Sequence, residues 1–568
     1  MVKQRLEGNV KKYPPVIPEM GDWPIFKLSE DREAFIKEID EFTLGKILRK
    51  QPELVSDLLI KTIYLERIRI KEEPWKVDPP NENQFWNKIR KNLVRYSLDK
   101  EVEEAKASNE EILKKIISRY SEEIVGTFQI KTFLFARKFL NIFFDRLLNT
   151  AASRNLRRFY GRKFHFTDRL ELIGEIDTIR SLMTKGTVVV VPTHFSNLDS
   201  LLVGYAMDSI LGLPSFSYGA GLNLYNTGYT AYFMNRLGAY RVDRRKKNAI
   251  YLETLKTMST LSIKRGTNSL FFPGGTRSRS GAIESKLKMG LMGTAVEAQR
   301  MLCQEGKKEK VFIVPLVLGY HVVLEAKYLI EQHLKETGKE HFLQIKDASY
   351  SRMKVLRFMW KLFSQGSHIT LSFGKPMDVV GNFVNKEGES FDKWGNPIDI
   401  KDYFLTDGEV QTNLQRETEY TKILADKIGE RFHKDNIVLS SHLVAFATFN
   451  ILLNENNDLD LFGILRLPCE DYVFEIEQVS EVIEVLKKKL IEMEKREDIK
   501  LSKNIHGDTM ELIKHGVKNV GNFHPLNPLK FNKEGDLVSE DFNTLYYYHN
   551  RLENYNLSKT ISKVVART

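Results

Sequence analysis

Residues 187 to 200, TVVVVPTHFSNLDS, constrain the fold more than any other stretch. Four consecutive valines, Val188 to Val191, predict a strand buried on both faces, as in a parallel sheet covered by helices. Pro192 ends that strand, because proline has no N–H to give a ladder. His194 then stands at the carboxyl end, and Asp199 follows where an apolar helical pattern begins. Open α/β sheets place their sites at this edge. Ser196 and Asp199 also fit a helix capping box, S-x-x-D, ahead of the apolar run Leu201 to Ile210. The two readings are compatible, since an aspartate fixed in a first turn can also orient an imidazole.

At 568 residues the chain exceeds one ordinary domain, and with 42% hydrophobic residues it can build a large core. A formal net charge of +11 suits nucleic acid, anionic lipid or phosphorylated substrates, and charge alone does not choose among them. Two cysteines, Cys303 and Cys469, support neither a disulfide framework nor a cysteine-based zinc site. A reducing, cytoplasmic setting is therefore the default expectation. The opening MVKQRLEGNVKKYPP lacks the apolar core of a secretory signal. No uninterrupted apolar run reaches the roughly 18 residues of a membrane span, so membrane contact is expected to be peripheral.

Residues 1–155 are charge-rich and helical in pattern, for example EEILKKIISRYSEEIVGTF. They end in KTFLFARKFLNIFFDRLLN, residues 131–149, expected as a buried bundle helix rather than one lying in a bilayer interface. Residues 156–380 alternate strands and helices: the Val188 strand, SLFF ending at Pro273, VFIVPLVLGY and HITLSFGKP, with helices at about 246–265 and 285–304 between them. That alternation indicates an α/β domain with a mostly parallel sheet, flanking helices and crossovers. An insertion at about 325–366 interrupts it. Within the insertion, SRMKVLRFMWKLFSQ places Lys354, Arg357 and Lys361 beside an apolar helical pattern, which suits either a membrane surface or packing on the domain. Residues 381–568 read as a mainly helical C-terminal region, with the apolar SHLVAFATFNILL and the cluster LYYYHNRLENY.

Four features share one chemical character. His194 and Asp199 form a candidate base and orienter. Arg241 and Arg244 lie in AYRVDRRKKN after Gly238. Arg277 and Arg279 lie in a loop opening with Gly274 and Gly275 and carrying Thr276 and Ser278, and Lys286 and Lys288 follow. In a parallel sheet these cations converge with His194 on one edge. Guanidinium groups and loop N–H groups beside a base fit a phosphorylated substrate. The loop is not a nucleotide P-loop, because G-x-x-x-x-G-K-[ST] is absent, and no G-x-S-x-G nucleophile elbow occurs.

Taken together, THFSNLD, GAYRVDR, FPGGTRSRSG and VPLVLGY, in this order over residues 193–320, resemble the four sequence blocks of the glycerolipid H-x4-D acyltransferases. FGKP at 373–376 resembles the end of that domain. LVAFA at 443–447 and LYYYHN at 545–550 are similar to the C-terminal region of the long glycerol-3-phosphate acyltransferases. The resemblance implies that His194 takes the proton of a glycerol hydroxyl attacking a thioester, with Asp199 holding the tautomer. An imidazole is largely neutral near pH 7, its reference pKa being about 6.5. It also implies phosphate binding by Arg244, Arg277 and Lys288, in a loop shaped by Gly275, Thr276 and Ser278. Arg241, Arg279, Lys286 and Gly274 are further candidates. Acyl-CoA or acyl carrier protein would be the co-substrate, with no metal or redox cofactor and no nucleic acid partner, on the cytoplasmic side of a membrane. Glycerol 3-phosphate is the expected acceptor, with lysophosphatidate and dihydroxyacetone phosphate as alternatives. A basic lipid- or nucleic-acid-binding protein is the non-enzyme alternative. Two positions depart from the family pattern. Gly274 stands where the third block usually has Glu, a lost carboxylate that bears on acceptor positioning or the loop's conformation more than on the fold. Arg241 stands where the second block is usually apolar.

Overall fold

The computed structural model describes residues 12–50, 54–98, 102–151, 170–225, 228–337, 368–520 and 524–565. Seven strands form the central sheet: β1 (Leu170–Gly174), β2 (Gly186–Pro192), β3 (Ser217–Gly221), β4 (Ala239–Val242), β5 (Ser269–Leu270), β6 (Lys310–Tyr320) and β7 (Ile369–Phe373). Their order is β1-β7-β6-β2-β5-β3-β4. Five neighbouring pairs are parallel, and only β6 and β7 run antiparallel. The strands from β6 across to β4 therefore share one direction and present their carboxyl ends along one edge. The four valines of β2 are fully buried. Val188 and Val190 enter the core on one face, Val189 and Val191 the core on the other. This double coverage is what an unbroken apolar run in a parallel strand requires.

Before the sheet come α1 (Pro24–Glu30), α2 (Arg32–Lys50), α3 (Val55–Glu72), α4 (Glu82–Leu98), α5 (Val102–Ile124) and α6 (Ile130–Ala151). Within the sheet region lie α7 (Ile176–Leu182), α8 (Asp199–Tyr205), α9 (Gly228–Met234), α10 (Ala249–Lys264), α11 (Met289–Gln304) and α12 (Ala326–Thr337). Phe35, Trp86, Ile116 and Tyr120 of the N-terminal helices share one core with Tyr251, Met258 and Leu261 of α10. Asn248 caps α10 by accepting from the Tyr251 amide. The helix Leu414–Lys434 packs with α11 over one sheet face. The helices Ser440–Glu455, Ile476–Lys495, Thr509–Asn519 and Phe542–His549 cover the other.

Helix α6 departs from the expected buried bundle helix. Leu134, Phe135, Phe139 and Ile142 are exposed on it, Phe135 at 61%. Phe135 stacks on Phe233 of α9, where Tyr229 and Tyr232 are also exposed. The apolar positions of residues 131–149 surround the helix too widely for one core face to absorb them all. The apolar run SHLVAFATFNILL, by contrast, is a core helix, buried continuously from Ser440 to Leu452. No helix among the described residues is long and apolar enough to cross a membrane. The basic stretch 351–365 lies outside the described residues.

Two side chains bolt the C-terminal helices to the end of β6. Arg551 donates to the Leu318 carbonyl (2.6 Å) and to Asn436 (2.8 Å). His442 Nε2 meets the Tyr320 carbonyl (3.0 Å) while its Nδ1 accepts from the Leu439 amide (3.4 Å). Those partners fit only a neutral ring with one donor and one acceptor. Burial, reinforced by the Arg551 charge, pushes the His442 pKa down to about 3. An unfolded histidine titrates near 6.5, so protons bind the unfolded state preferentially below that pH. The contribution of His442 is thus complete above about pH 6.5 and is lost as pH falls toward 3. The unfolding free-energy difference between wild type and His442→Gln, from urea titrations, should shrink by about 2 kcal/mol between pH 7 and pH 5.

Candidate active site

Beyond Pro192 the chain turns tightly, and the turn is closed by one carboxylate. Asp199 opens α8 and is completely buried. Its Oδ2 accepts from the Phe195 amide (2.7 Å) and the Ser196 amide (2.9 Å), and lies 2.8 Å from His194 Nδ1. Its Oδ1 accepts from the Tyr320 hydroxyl at the end of β6 (2.5 Å). The expected capping box does not open α8, whose N-cap is Leu198 without a side-chain cap; Asp199 instead accepts the Ser196 amide in the turn ahead of the helix, and the same oxygen orients the imidazole. With an acceptor-only carboxylate at Nδ1, the proton sits there and Nε2 is left as the base. The His194 ring stacks on Phe272, centroids 4.2 Å apart, and its side chain stays 19% exposed. Burial and the Asp199 charge push the Tyr320 hydroxyl well up, so it remains a proton donor to the carboxylate.

The loop after β5 is the neighbour of this turn, because β5 pairs with β2. The Ser278 amide donates to the His194 carbonyl (2.7 Å), and the Ser278 hydroxyl to the Ala282 carbonyl (2.8 Å). Gly275 takes a positive φ of 77°, and the Lys288 ammonium lies 2.9 Å from where a Cβ would be. Gly274, Thr276, Arg277, Ser278, Arg279, Lys286 and Lys288 all line one cavity of about 440 Å³. His194 is not in its wall and meets it through Ser278. Arg277 pairs with buried Glu325 (3.3 Å). Glu325 also accepts from the Ser196 hydroxyl and the Asn197 amide (3.0 Å each), so it ties the first and third blocks together. Arg279 pairs with Glu336 of α12. Lys286 and Lys288 are exposed and carry no ion pair among the described residues.

After β4 the cations are sorted by their partners. Arg245 is fixed by Asp243 (2.7 Å) and Asp78 (2.5 Å), and Lys246 by Glu123 (2.5 Å). These bonds hold the turn against the N-terminal helices and leave exposed Arg244 reaching the Gly275 carbonyl. Arg241 does not join this cluster. Its guanidinium lies 4.8 Å over the Tyr225 ring, and it does not line the cavity. The LYYYHN cluster buttresses the loop from behind. Asn550 donates to the Ser280 carbonyl (2.9 Å), and Tyr548 accepts from the Val323 amide (3.0 Å). Gly281, at φ 86°, lets the Tyr547 carbonyl approach to where a side chain would stand.

The missing glutamate at 274 receives a steric answer. A Cβ there would come within 2.2 Å of the Glu284 carboxyl, so a Glu restored at 274 must displace the end of the Glu284 side chain from the place it now fills. Sequence reasoning missed Tyr320, Glu284, Glu325 and Arg551. Tyr320 is the last residue of the fourth block and Glu325 lies five residues beyond it, and that proximity was the one available signal.

Residues 173–319 match the Acyltransferase family model. Over these residues, about a quarter of its length, the chain is similar to that family. It is similar to the glycerol-3-phosphate acyltransferase of Pseudomonas aeruginosa (strain UCBPP-PA14), 25% identical over 292 residues, 51% of this chain and 31% of that protein. It is also similar to that of Alteromonas mediterranea, 30% identical over 209 residues, 36% of this chain and 23% of that protein. The match thus spans about a third or less of these relatives' length. A solved structure, the 1-acyl-sn-glycerophosphate (LPA) acyltransferase PlsC from Thermotoga maritima, matches at 17% identity over 48% of this chain and 88% of that one, with a TM-score of 0.23.

Proposed function

We propose that this chain moves a fatty acyl group from acyl-CoA or acyl carrier protein to the sn-1 hydroxyl of glycerol 3-phosphate, with His194 as general base. The observation that carries the reading is the His194–Asp199 pair, 2.8 Å apart, bonded through Ser278 to a loop of arginines and lysines. The acceptor's phosphate is held by Arg277, Lys286 and Lys288, with Arg244 bracing the loop at Gly275. As the acceptor oxygen forms its bond to the thioester carbonyl carbon, its proton passes to His194 Nε2. Asp199 stabilises the imidazolium through Nδ1, as the acid does in hydrolase triads. The tetrahedral intermediate expels the thiolate, which takes the proton back from Nε2. One ester forms and one thioester breaks, so the balance calls for neither a metal nor a redox cofactor. The substrate hydroxyl is itself the nucleophile, and no acyl-enzyme forms.

The setting we propose is the cytoplasmic side of a bilayer. The exposed Phe135, Phe139 and Ile142 of α6 and Tyr229 and Tyr232 of α9 support it, as do exposed Lys131 and Lys138 beside them, a pairing suited to an anionic lipid surface. Phe135→Ser/Phe139→Ser should sediment with anionic vesicles about tenfold less than wild type; undiminished sedimentation removes this face from the account.

The reaction is tested by offering glycerol 3-phosphate, dihydroxyacetone phosphate and lysophosphatidate separately, each with both long-chain acyl donors. Turnover with glycerol 3-phosphate to the 1-acyl product is expected, falling about 100- to 10,000-fold in His194→Ala. Turnover with lysophosphatidate alone would overturn the acceptor. No turnover with any pair, or an undiminished His194→Ala, would overturn the reading.

A further inference from the structure

Glu284 lies in the segment leading into α11 and has no part in the chemistry derived above. Its carboxyl fills the room in front of Gly274: a Cβ on that glycine would stand 2.2 Å from Cδ and from both oxygens. The same side chain lines the cavity with Thr276, Arg277, Lys286 and Lys288. The Gly274 amide bonds to it. Oε2 is buried and has no hydrogen-bond partner among the described residues. A buried polar atom without a partner is costly to a folded protein, and one at the wall of a cavity is open to completion by a ligand atom. Burial first, then the Asp199 charge, pushes this carboxyl up to about 8, with Arg551 opposing. It is therefore largely neutral at pH 7 and does not repel an anion drawn in by the neighbouring cations.

We propose that Glu284 contacts the acceptor: projecting into the room that glycine leaves at 274, its carboxyl holds the hydroxyl of the polyol that is not acylated, while the lysines and Arg277 take the phosphate. This rests on the acyl-transfer reading and assigns the non-phosphate end of that acceptor. It makes the site one for a phosphorylated polyol rather than for phosphate alone.

Calorimetry with glycerol 3-phosphate and with inorganic phosphate tests the contact apart from turnover. Glu284→Ala should weaken glycerol 3-phosphate binding about tenfold or more while inorganic phosphate binding holds, and in assays KM should rise more than kcat falls. Glu284→Gln, which keeps a donor and an acceptor, should lose less. Gly274→Glu alone should collide with Glu284 and lose affinity, and Gly274→Glu/Glu284→Ala should recover at least part of the loss of Glu284→Ala. Equal effects on both probes, no effect on either, or a double variant no better than Glu284→Ala would overturn the proposal. If the binding split appears without turnover, the contact stands and the acyl-transfer reading falls. If turnover is normal and Glu284→Ala leaves both constants unmoved, the reverse holds.

Discussion

The buried carboxylate of Asp199 is the constraint on which the rest of the site depends. Two backbone amides, an imidazole and the Tyr320 hydroxyl converge on its two oxygens. A carboxylate without water around it is tolerable only when its lone pairs are used this fully. Each of those bonds also fixes something. The amides set the turn after β2, the imidazole bond leaves Nε2 free, and Tyr320 locks the turn to β6. Neighbouring strand ends are thereby joined by side-chain chemistry as well as by the ladder.

The regions outside the sheet act on this site through the same kind of bond. The N-terminal region uses Asp78, between α3 and α4, and Glu123 of α5 to hold Arg245 and Lys246, which leaves Arg244 at the loop. The C-terminal helices bring Asn550 to Ser280 and Arg551 to Leu318, with the Arg551 guanidinium 4.2 Å over the Phe195 ring. Burial lowers that guanidinium's pKa to about 10, still charged at neutral pH. A positive charge held behind the turn offsets part of the cost of the carboxylate in front of it.

Much of this was legible in the chain. The valine run, the proline stop and the ordered blocks are local features, and local patterning specifies which strand is buried and where it ends. A parallel sheet then delivers His194 and the loops after β4 and β5 to one edge as a matter of topology. What was not legible is long-range. Glu325 reaches Ser196 across 129 positions and Arg551 reaches Leu318 across 233, and no spacing rule encodes such pairs. Glu284 escaped because the sequence displays an absent carboxylate at 274 but not the one that occupies its space. Helix α6 misled because aromatic residues around a whole helix read the same whether they meet a core or stay exposed.

The central claim is that Asp199 serves as a charge opposite His194 and not only as a turn closer, and Asp199→Asn separates the two. Its amide oxygen can accept from Phe195, Ser196 and His194, and its amide nitrogen can donate to the Tyr320 hydroxyl, so the turn can persist. The measurement is kcat for acyl transfer beside a thermal melt. The account predicts a kcat lower by about 100-fold with the melt changed little. Near-normal turnover in a folded Asp199→Asn protein would contradict it.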